Sequence, residues 1–226
     1  LPGRVPVGGS VGINKDTPPA LAPMAHGVVL MALYPHVSWI TINVSSPNTV
    51  GLRTLQQKEY LVEIVRFCNM VMDELGGRKP MFVKAAPDIT IPGLDEIINV
   101  VVQEGLSGIV MGNTTIRDDL KEKYGWKGQA GGLSGNDPDF RYMSTTLIAH
   151  IYRETKGSIF IHGAGGVHNT ETTLEKIKAG ASTVHIVTGI RQEGPAIAGK
   201  INRGLMEYMN KYGIKNIREL VGVGKF

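Results

Sequence analysis

The stretch Trp39-Ile40-Thr41-Ile42-Asn43-Val44-Ser45-Ser46-Pro47-Asn48-Thr49 decides how this chain is read. Its first four residues are an apolar, β-rich run of the kind that fills a buried strand. Pro47 biases the residue before it away from helical backbone, and Ser-Pro-Asn opens a loop. The two carboxamides of Asn43 and Asn48 and the two serine hydroxyls of Ser45 and Ser46 therefore stand where a buried strand ends. In parallel α/β proteins, ligands bind at the carboxyl ends of the strands. An asparagine head is planar and carries both donors and an acceptor. Asn43 and Asn48 thus suit a flat ligand with several hydrogen-bonding groups, such as a pyrimidine. Turn chemistry alone also produces loops of this composition, so the segment has to be weighed with the rest of the chain.

Working outward, residues 5–11, 38–43, 81–85, 106–111, 158–162 and 183–187 form short, nearly continuous apolar runs, as strands covered on both faces do. Helical patterns lie between them. Leu61, Ile64, Val65, Cys68, Met72 and Leu75 recur at helical spacing over residues 58–75, and Gly76-Gly77 stops that helix. Leu94, Ile97, Ile98 and Val101 mark a second, ended by Gly105. Asn169-Thr170 can cap a helix over 171–179. A longer helix is expected over 195–212, closed by Gly213, and another over 142–155. Residues 116–140 form a long, charged, glycine-rich connection containing Trp126, of a length typical of lids; a surface excursion would read the same. Strand–helix alternation predicts a parallel sheet, open or closed into a barrel. Six units are visible, whereas a (β/α)8 barrel needs eight and about 250 residues. Local pattern leaves both forms open.

Composition removes several function classes. At 226 residues, with 42% hydrophobic and 19% charged, the chain has the make-up of a folded globular protein of one domain or two small ones. The net charge of +4 is spread along the chain; it favours anionic ligands mildly and gives no sign of nucleic-acid binding. The single cysteine, Cys68, excludes an internal disulfide, and its place on a helical stripe reads as buried and inert. The longest apolar stretch, residues 28–34, is too short to span a bilayer, and no secretory signal is visible. The chain opens Leu1-Pro2-Gly3-Arg4 and not with Met, which is taken to mean that an upstream segment has been removed. His162, His168 and His185 lack carboxylate partners at metal-ligand spacing, so no metal site is expected. Asp88 precedes a turn and is expected to cap it.

Polar groups recur at the strand ends. Lys84 sits in Val83-Lys84-Ala85-Ala86-Pro87-Asp88, inside an apolar strand where a lysine is costly unless paired, used or snorkelling. The next strand ends in Asn113-Thr114-Thr115. Gly163-Ala164-Gly165-Gly166 and Val187-Thr188-Gly189 follow the last two strands. Glycine-rich turns leading into helices are how such folds hold phosphate.

Taken in order, Asn43-Val44-Ser45-Ser46-Pro47-Asn48, Val83-Lys84-Ala85-Ala86-Pro87-Asp88, Asn113-Thr114-Thr115, Gly131-Gly132-Leu133-Ser134-Gly135 and Gly165-Gly166-Val167 resemble the dihydroorotate dehydrogenases from about Gly9 to Gly213. Serine at position 46 resembles the quinone-linked class 2 enzymes, since class 1 enzymes usually carry cysteine there. The resemblance implies an α/β fold, a parallel (β/α)8 TIM-type barrel whose first one or two β/α units are missing here, with residues 1–226 as one FMN-binding catalytic domain. It implies oxidation of (S)-dihydroorotate to orotate, with FMN as hydride acceptor and quinone as final acceptor, in de novo pyrimidine synthesis. Ser46 would be the catalytic base and Thr49 its proton relay. Asn43, Asn48, Asn113 and Thr114 would hold orotate. Asn43, Lys84, Gly112, Ser134, Gly135, Gly165, Gly166, Val187 and Thr188 would contact FMN, with Lys84 stabilising charge on the reduced ring. Membrane association would come through a segment not present here, at the mitochondrial inner membrane or, alternatively, the cytoplasmic face of a bacterial inner membrane. Three positions depart from the family pattern: Ser10 stands for an asparagine, Gly112 for a threonine and Val187 for a tyrosine. Two other readings follow: another FMN barrel acting on a pyrimidine, whose members commonly use a catalytic cysteine, and a non-catalytic remnant serving as a structural subunit.

Overall fold

The computed structural model describes residues 5–14, 16–46 and 52–226. They belong to two compact units, Leu1–Ile109 and Val110–Phe226. The first holds β1 (Gly8–Val11), α1 (Ala22–Leu33), β2 (Trp39–Asn43), α2 (Lys58–Glu74), β3 (Met81–Ala85) and α3 (Ile91–Gln103); β4 (Gly108–Met111) runs across the division. The second holds α4 (Asp118–Glu122), α5 (Pro138–Thr155), β5 (Phe160–Ala164), α6 (Thr170–Ala179), β6 (Thr183–His185), α7 (Thr188–Glu193) and α8 (Ile197–Tyr212).

In the first unit β1, β2 and β3 are parallel neighbours in chain order. Ser107 N–H donates to Met81 O and brings the chain into β4. In the second unit β5 and β6 pair in parallel. Neither unit contains the reversal of strand order that marks a doubly wound sheet. Sequential order is that of a barrel wall.

Register decides which side chains face the helices. Gly8 pairs with Trp39, Gly9 with Ile40, and Ile42 with Val83. A side chain at Gly9 would meet Leu33 of α1, so the face holding Gly9, Ile40, Ile42, Met81 and Val83 is the helix side. All four of those apolar side chains are buried. The opposite face carries Ser10, Thr41, Asn43, Phe82 and Lys84. In the second unit a side chain at Gly163 would touch Ile148 of α5 and Lys176 of α6. Its neighbours Phe160, His162 and Ala164 therefore occupy the other face, with Thr183 and His185 of β6.

Three of the differences from the sequence reading have a clear physical cause. β5 begins two residues later than its apolar run, because the turn after α5 uses Ser158: Lys156 adopts the left-handed conformation, Gly157 N–H donates to Tyr152 O, and Ser158 N–H to Thr155 O. α1 gave no helical period because it is apolar all round; His26, Gly27 and Leu30 are buried while Met24, Val28 and Met31 are exposed. The connection over residues 116–140 is folded and not a loose excursion. It contains α4, a bridge between Thr115 and Leu133, and a small core of Leu120, Leu133 and Phe140. Tyr124 OH donates to Asp137 at 2.9 Å, and Asp137 caps α5 through Phe140 N–H. The capping reading at residue 169 holds, as Asn169 and Thr172 form a reciprocal capping box on α6.

Lys176 on α6 is fully buried. Its Nζ donates to Arg141 O at 3.1 Å and to Thr145 Oγ1 at 2.8 Å, both on α5. Burial pushes its pKa down to about 7 from 10.5, partly offset by the neighbouring Glu175. The unfolded chain keeps the ordinary value, so between about pH 7 and 10.5 it binds the extra proton. Stability from this site is therefore present at high pH and lost as pH falls to about 7. Lys176→Met is expected to match or exceed the native stability at neutral pH, with its advantage shrinking as pH rises towards 10. Urea unfolding across that range checks this; a constant difference would contradict it.

Candidate functional site

In the first unit the strand register sets two candidate residues side by side. Asn43, last in β2, pairs with Lys84 of β3, on the face turned away from the helices. Lys84 is half-buried, and burial lowers its pKa. It has no ion-pair or hydrogen-bond partner among the described residues. Asn43 Oδ1 accepts from Ser45 N–H at 3.3 Å and from Ser45 Oγ at 3.0 Å. With its oxygen occupied, Asn43 keeps its amide hydrogens as donors, and they have no acceptor among the described residues. One rung thus presents an ammonium and an amide donor, both suited to carbonyl or anionic oxygen. Ser45 is fully buried and Ser46, the expected base, is half-buried. Asn48 and Thr49 lie outside the described residues.

Asp88 is not a simple cap. Its Oδ2 pairs with Arg53 Nη1 at 2.8 Å. Arg53 and Gln56 lie on the short 3-10 turn Leu52–Gln56. No local pattern marked them, because Arg53 reaches a partner 35 residues away.

In the second unit Asn113 Oδ1 accepts from Thr114 N–H at 2.8 Å. Thr114 packs so closely on Gly132 that a Cβ there would sit 2.1 Å from Thr114 Oγ1. Gly132 is small because Thr114 occupies its space. Ser134 Oγ and Thr188 Oγ1 lie 2.8 Å apart, and Gly135, at φ +103°, borders Thr188. This brings together Ser134, Gly135 and Thr188, three candidate FMN-contact residues. Gly165 and Gly166 also have positive φ. A side chain at Gly165 would press on Ser144 and one at Gly166 on Arg141, so both let the turn after β5 lie against α5. Gly112 is buried directly after β4. Val187, ahead of α7, is 72% exposed.

The histidines have structural surroundings. His162 Nδ1 lies 2.6 Å from Thr183 Oγ1, and its ring is 4.8 Å from that of His185. Burial, aided by His185, holds its pKa down at about 4. His168 Nδ1 bonds Gly166 O. Among the described residues no three His, Cys, Asp or Glu side chains cluster as metal ligands. Cys68 is buried, which pushes its thiol up to about 12 and keeps it from acting as a nucleophile.

Residues 5–209 match the family described as dihydroorotate dehydrogenase. The chain is 37% identical over 217 residues to the dihydroorotate dehydrogenase (quinone) of an Anaeromyxobacter species, covering 96% of this chain and 59% of that protein. It is 39% identical over 224 residues to the protein of the same name from Cereibacter sphaeroides, covering 99% and 62%. A ligand-free DHODH crystal structure from Eimeria tenella is similar with a TM-score of 0.89 at 31% identity, over 96% of this chain and 64% of that one. A second, in complex with ferulenol, gives 0.87, also at 31% identity, over 95% and 60%. The chain spans about three fifths of the length of the curated relatives it matches. The parallel β/α architecture is that of these barrel structures, carried here in part.

The contact between Thr114 and Gly132 gives a direct test. Gly132→Ala is expected to destabilise the second unit by about 1–3 kcal/mol through overpacking. Combined with Thr114→Ala, the loss in urea unfolding is expected to be less than the sum of the two single variants. Additive losses would contradict the packing described.

Proposed function

The chain belongs to the dihydroorotate dehydrogenase family, and we propose that residues 1–226 act as one FMN-binding catalytic domain that oxidises (S)-dihydroorotate to orotate in pyrimidine synthesis, with quinone as final electron acceptor. The observation that carries this reading is the rung of Asn43 and Lys84, where a partly buried ammonium with no counter-charge among the described residues stands beside an amide donor at a strand end. A buried lysine of this kind calls for an electron-rich partner.

Within each unit, taken by itself, the donor chemistry fits groups that FMN carries. In the first, Lys84 and Asn43 would hold the oxygen-rich edge of the flavin. In the second, Ser134, Gly135, Gly165, Gly166 and Thr188 would hold its phosphate and ribityl chain through hydroxyl and backbone donors, with Gly112 and Val187 lining the ring. When bound, FMN supplies the two-electron acceptor for the hydride leaving dihydroorotate. Asn43, Asn48, Asn113 and Thr114 would orient the substrate's carboxylate and ring amides. Ser46 would take the proton leaving C5 while its own hydroxyl proton passes to Thr49 or to water. A serine hydroxyl at neutral pH needs such a relay, since its own basicity is low.

We further propose attachment to an inner membrane through a segment outside residues 1–226. No described helix is long and apolar enough to cross a membrane. The curated relatives compared are bacterial, which is compatible with the bacterial alternative; none of them supports the mitochondrial site expected from the sequence.

The test is anaerobic mixing of the FMN-loaded chain with dihydroorotate, followed by loss of the flavin's visible absorbance. Ser46→Ala is expected to slow that reduction by about 10²–10⁴-fold, the range for a lost general base, while orotate still shifts the flavin spectrum. Lys84→Ala is expected to weaken FMN retention about tenfold or more, the loss of one charge-assisted hydrogen bond. Bound FMN indifferent to dihydroorotate would favour another pyrimidine-active flavin barrel. Failure to take up FMN would favour the non-catalytic remnant.

A further inference from the structure

We propose that Arg53 is the positioning residue for Ser46: braced by Asp88 and Gln56, it fixes the peptide from which the proposed base projects. The inference rests on the reading of Ser46 given above.

The Ser45–Ser46 peptide is planar, so whatever fixes the Ser45 carbonyl also fixes the direction in which the chain enters Ser46. Ser45 is gripped at both ends. Its N–H and its Oγ both donate to Asn43 Oδ1, and its carbonyl accepts from Arg53 Nε at 3.3 Å. Arg53 is itself held. Its Nη1 donates to Asp88 Oδ2 at 2.8 Å, and its carbonyl accepts from Gln56 Nε2 at 3.3 Å. Gln56 Oε1 in turn accepts from Ala86 N–H at 3.0 Å. The turn Leu52–Gln56 is therefore tied to the chain leaving β2 through Ser45, and to the chain leaving β3 through Ala86 and Asp88. Asn43 and Lys84, the rung facing the ligand, each stand two residues before one of those ties.

The chemistry selects arginine for this place. Its guanidinium donates in two fixed directions at once, towards a neutral carbonyl and towards a carboxylate. A lysine offers one point charge and serves one of them. The Arg53 and Asp88 side chains are only 22% and 13% exposed, so removing one leaves the other's charge poorly solvated. The sheet below does not depend on this brace, because β2 and β3 are joined by their own ladder and by buried Ile40, Ile42 and Val83. Loss of Arg53 should therefore loosen the exit of β2 and spare the strand. Displacing a reacting group by about 1 Å can cost 10²-fold in rate.

Hydrogen exchange and flavin reduction together test the proposal, on the full chain and on Arg53→Ala, Arg53→Lys and Asp88→Asn. In Arg53→Ala, exchange at the Ser45 amide is expected to rise tenfold or more while Ile40 and Ile42 keep native protection. Flavin reduction by dihydroorotate is expected to fall about 10–100-fold, with orotate affinity changed less than threefold. Arg53→Lys should recover part of the rate, and Asp88→Asn should lie between it and the native chain. Native Ser45 protection in Arg53→Ala would overturn the proposal, as would an unchanged rate or a parallel loss of orotate affinity. If Arg53→Ala does not fold, native exchange and rate in Asp88→Asn would overturn it instead. If the native chain does not reduce flavin at all, the proposed function fails, while the exchange data still decide whether Arg53 fixes the Ser45–Ser46 peptide.

Discussion

The parallel pairing of β2 with β3 is the constraint on which the rest depends. In-register neighbours in a sheet share a face, so setting Asn43 against Lys84 sends both side chains to the same side. A slip of one residue would turn Lys84 into the layer that holds Ile40, Ile42 and Val83, where an ammonium has no solvation. Register is thus enforced by the same apolar residues that make the strands. The polar rung follows from the core, and it leaves the Lys84 amine partly desolvated, a state that electron-rich oxygen would relieve.

Around that rung the polar groups of the loops are used in two ways. Some hold the backbone: Asn43 Oδ1 on Ser45, Arg53 on the Ser45 carbonyl and Gln56 on Ala86 N–H. Others have no partner among the described residues, as with the amide hydrogens of Asn43 and the ammonium of Lys84. The same division appears in the second unit. Gly132 and Gly166 give up their side-chain space to Thr114 and Arg141, while the hydroxyls of Ser134 and Thr188 meet each other. Loop residues that look interchangeable by composition therefore have separate tasks, set by whether the oxygen or the nitrogen of each head group is already spent.

Much of this was legible in the sequence because burial on both faces leaves a plain record. The six strand runs and the helices α2, α3, α5, α6 and α8 carry their signal in apolar spacing and in glycine or asparagine at their ends. The family likeness carried by Asn43, Lys84, Asn113 and the glycine turns was legible only as an ordered set, since each motif alone is ordinary turn chemistry. What escaped the reading did so for physical reasons. α1 is apolar on every side and so has no period. The connection over residues 116–140 is held by Tyr124, Asp137 and a three-residue core, none of which makes a local pattern. Asp88 finds its partner 35 residues upstream, a distance at which spacing says nothing.

The most direct measurement of the central claim is the ionisation of Lys84 itself, followed by NMR of its side chain with and without FMN. The account predicts titration below the ordinary lysine value in the free chain, because burial has no compensating partner there among the described residues, and a return upward once FMN places electron-rich oxygen beside the amine. A Lys84 that titrates as an exposed lysine, and ignores FMN, would contradict it.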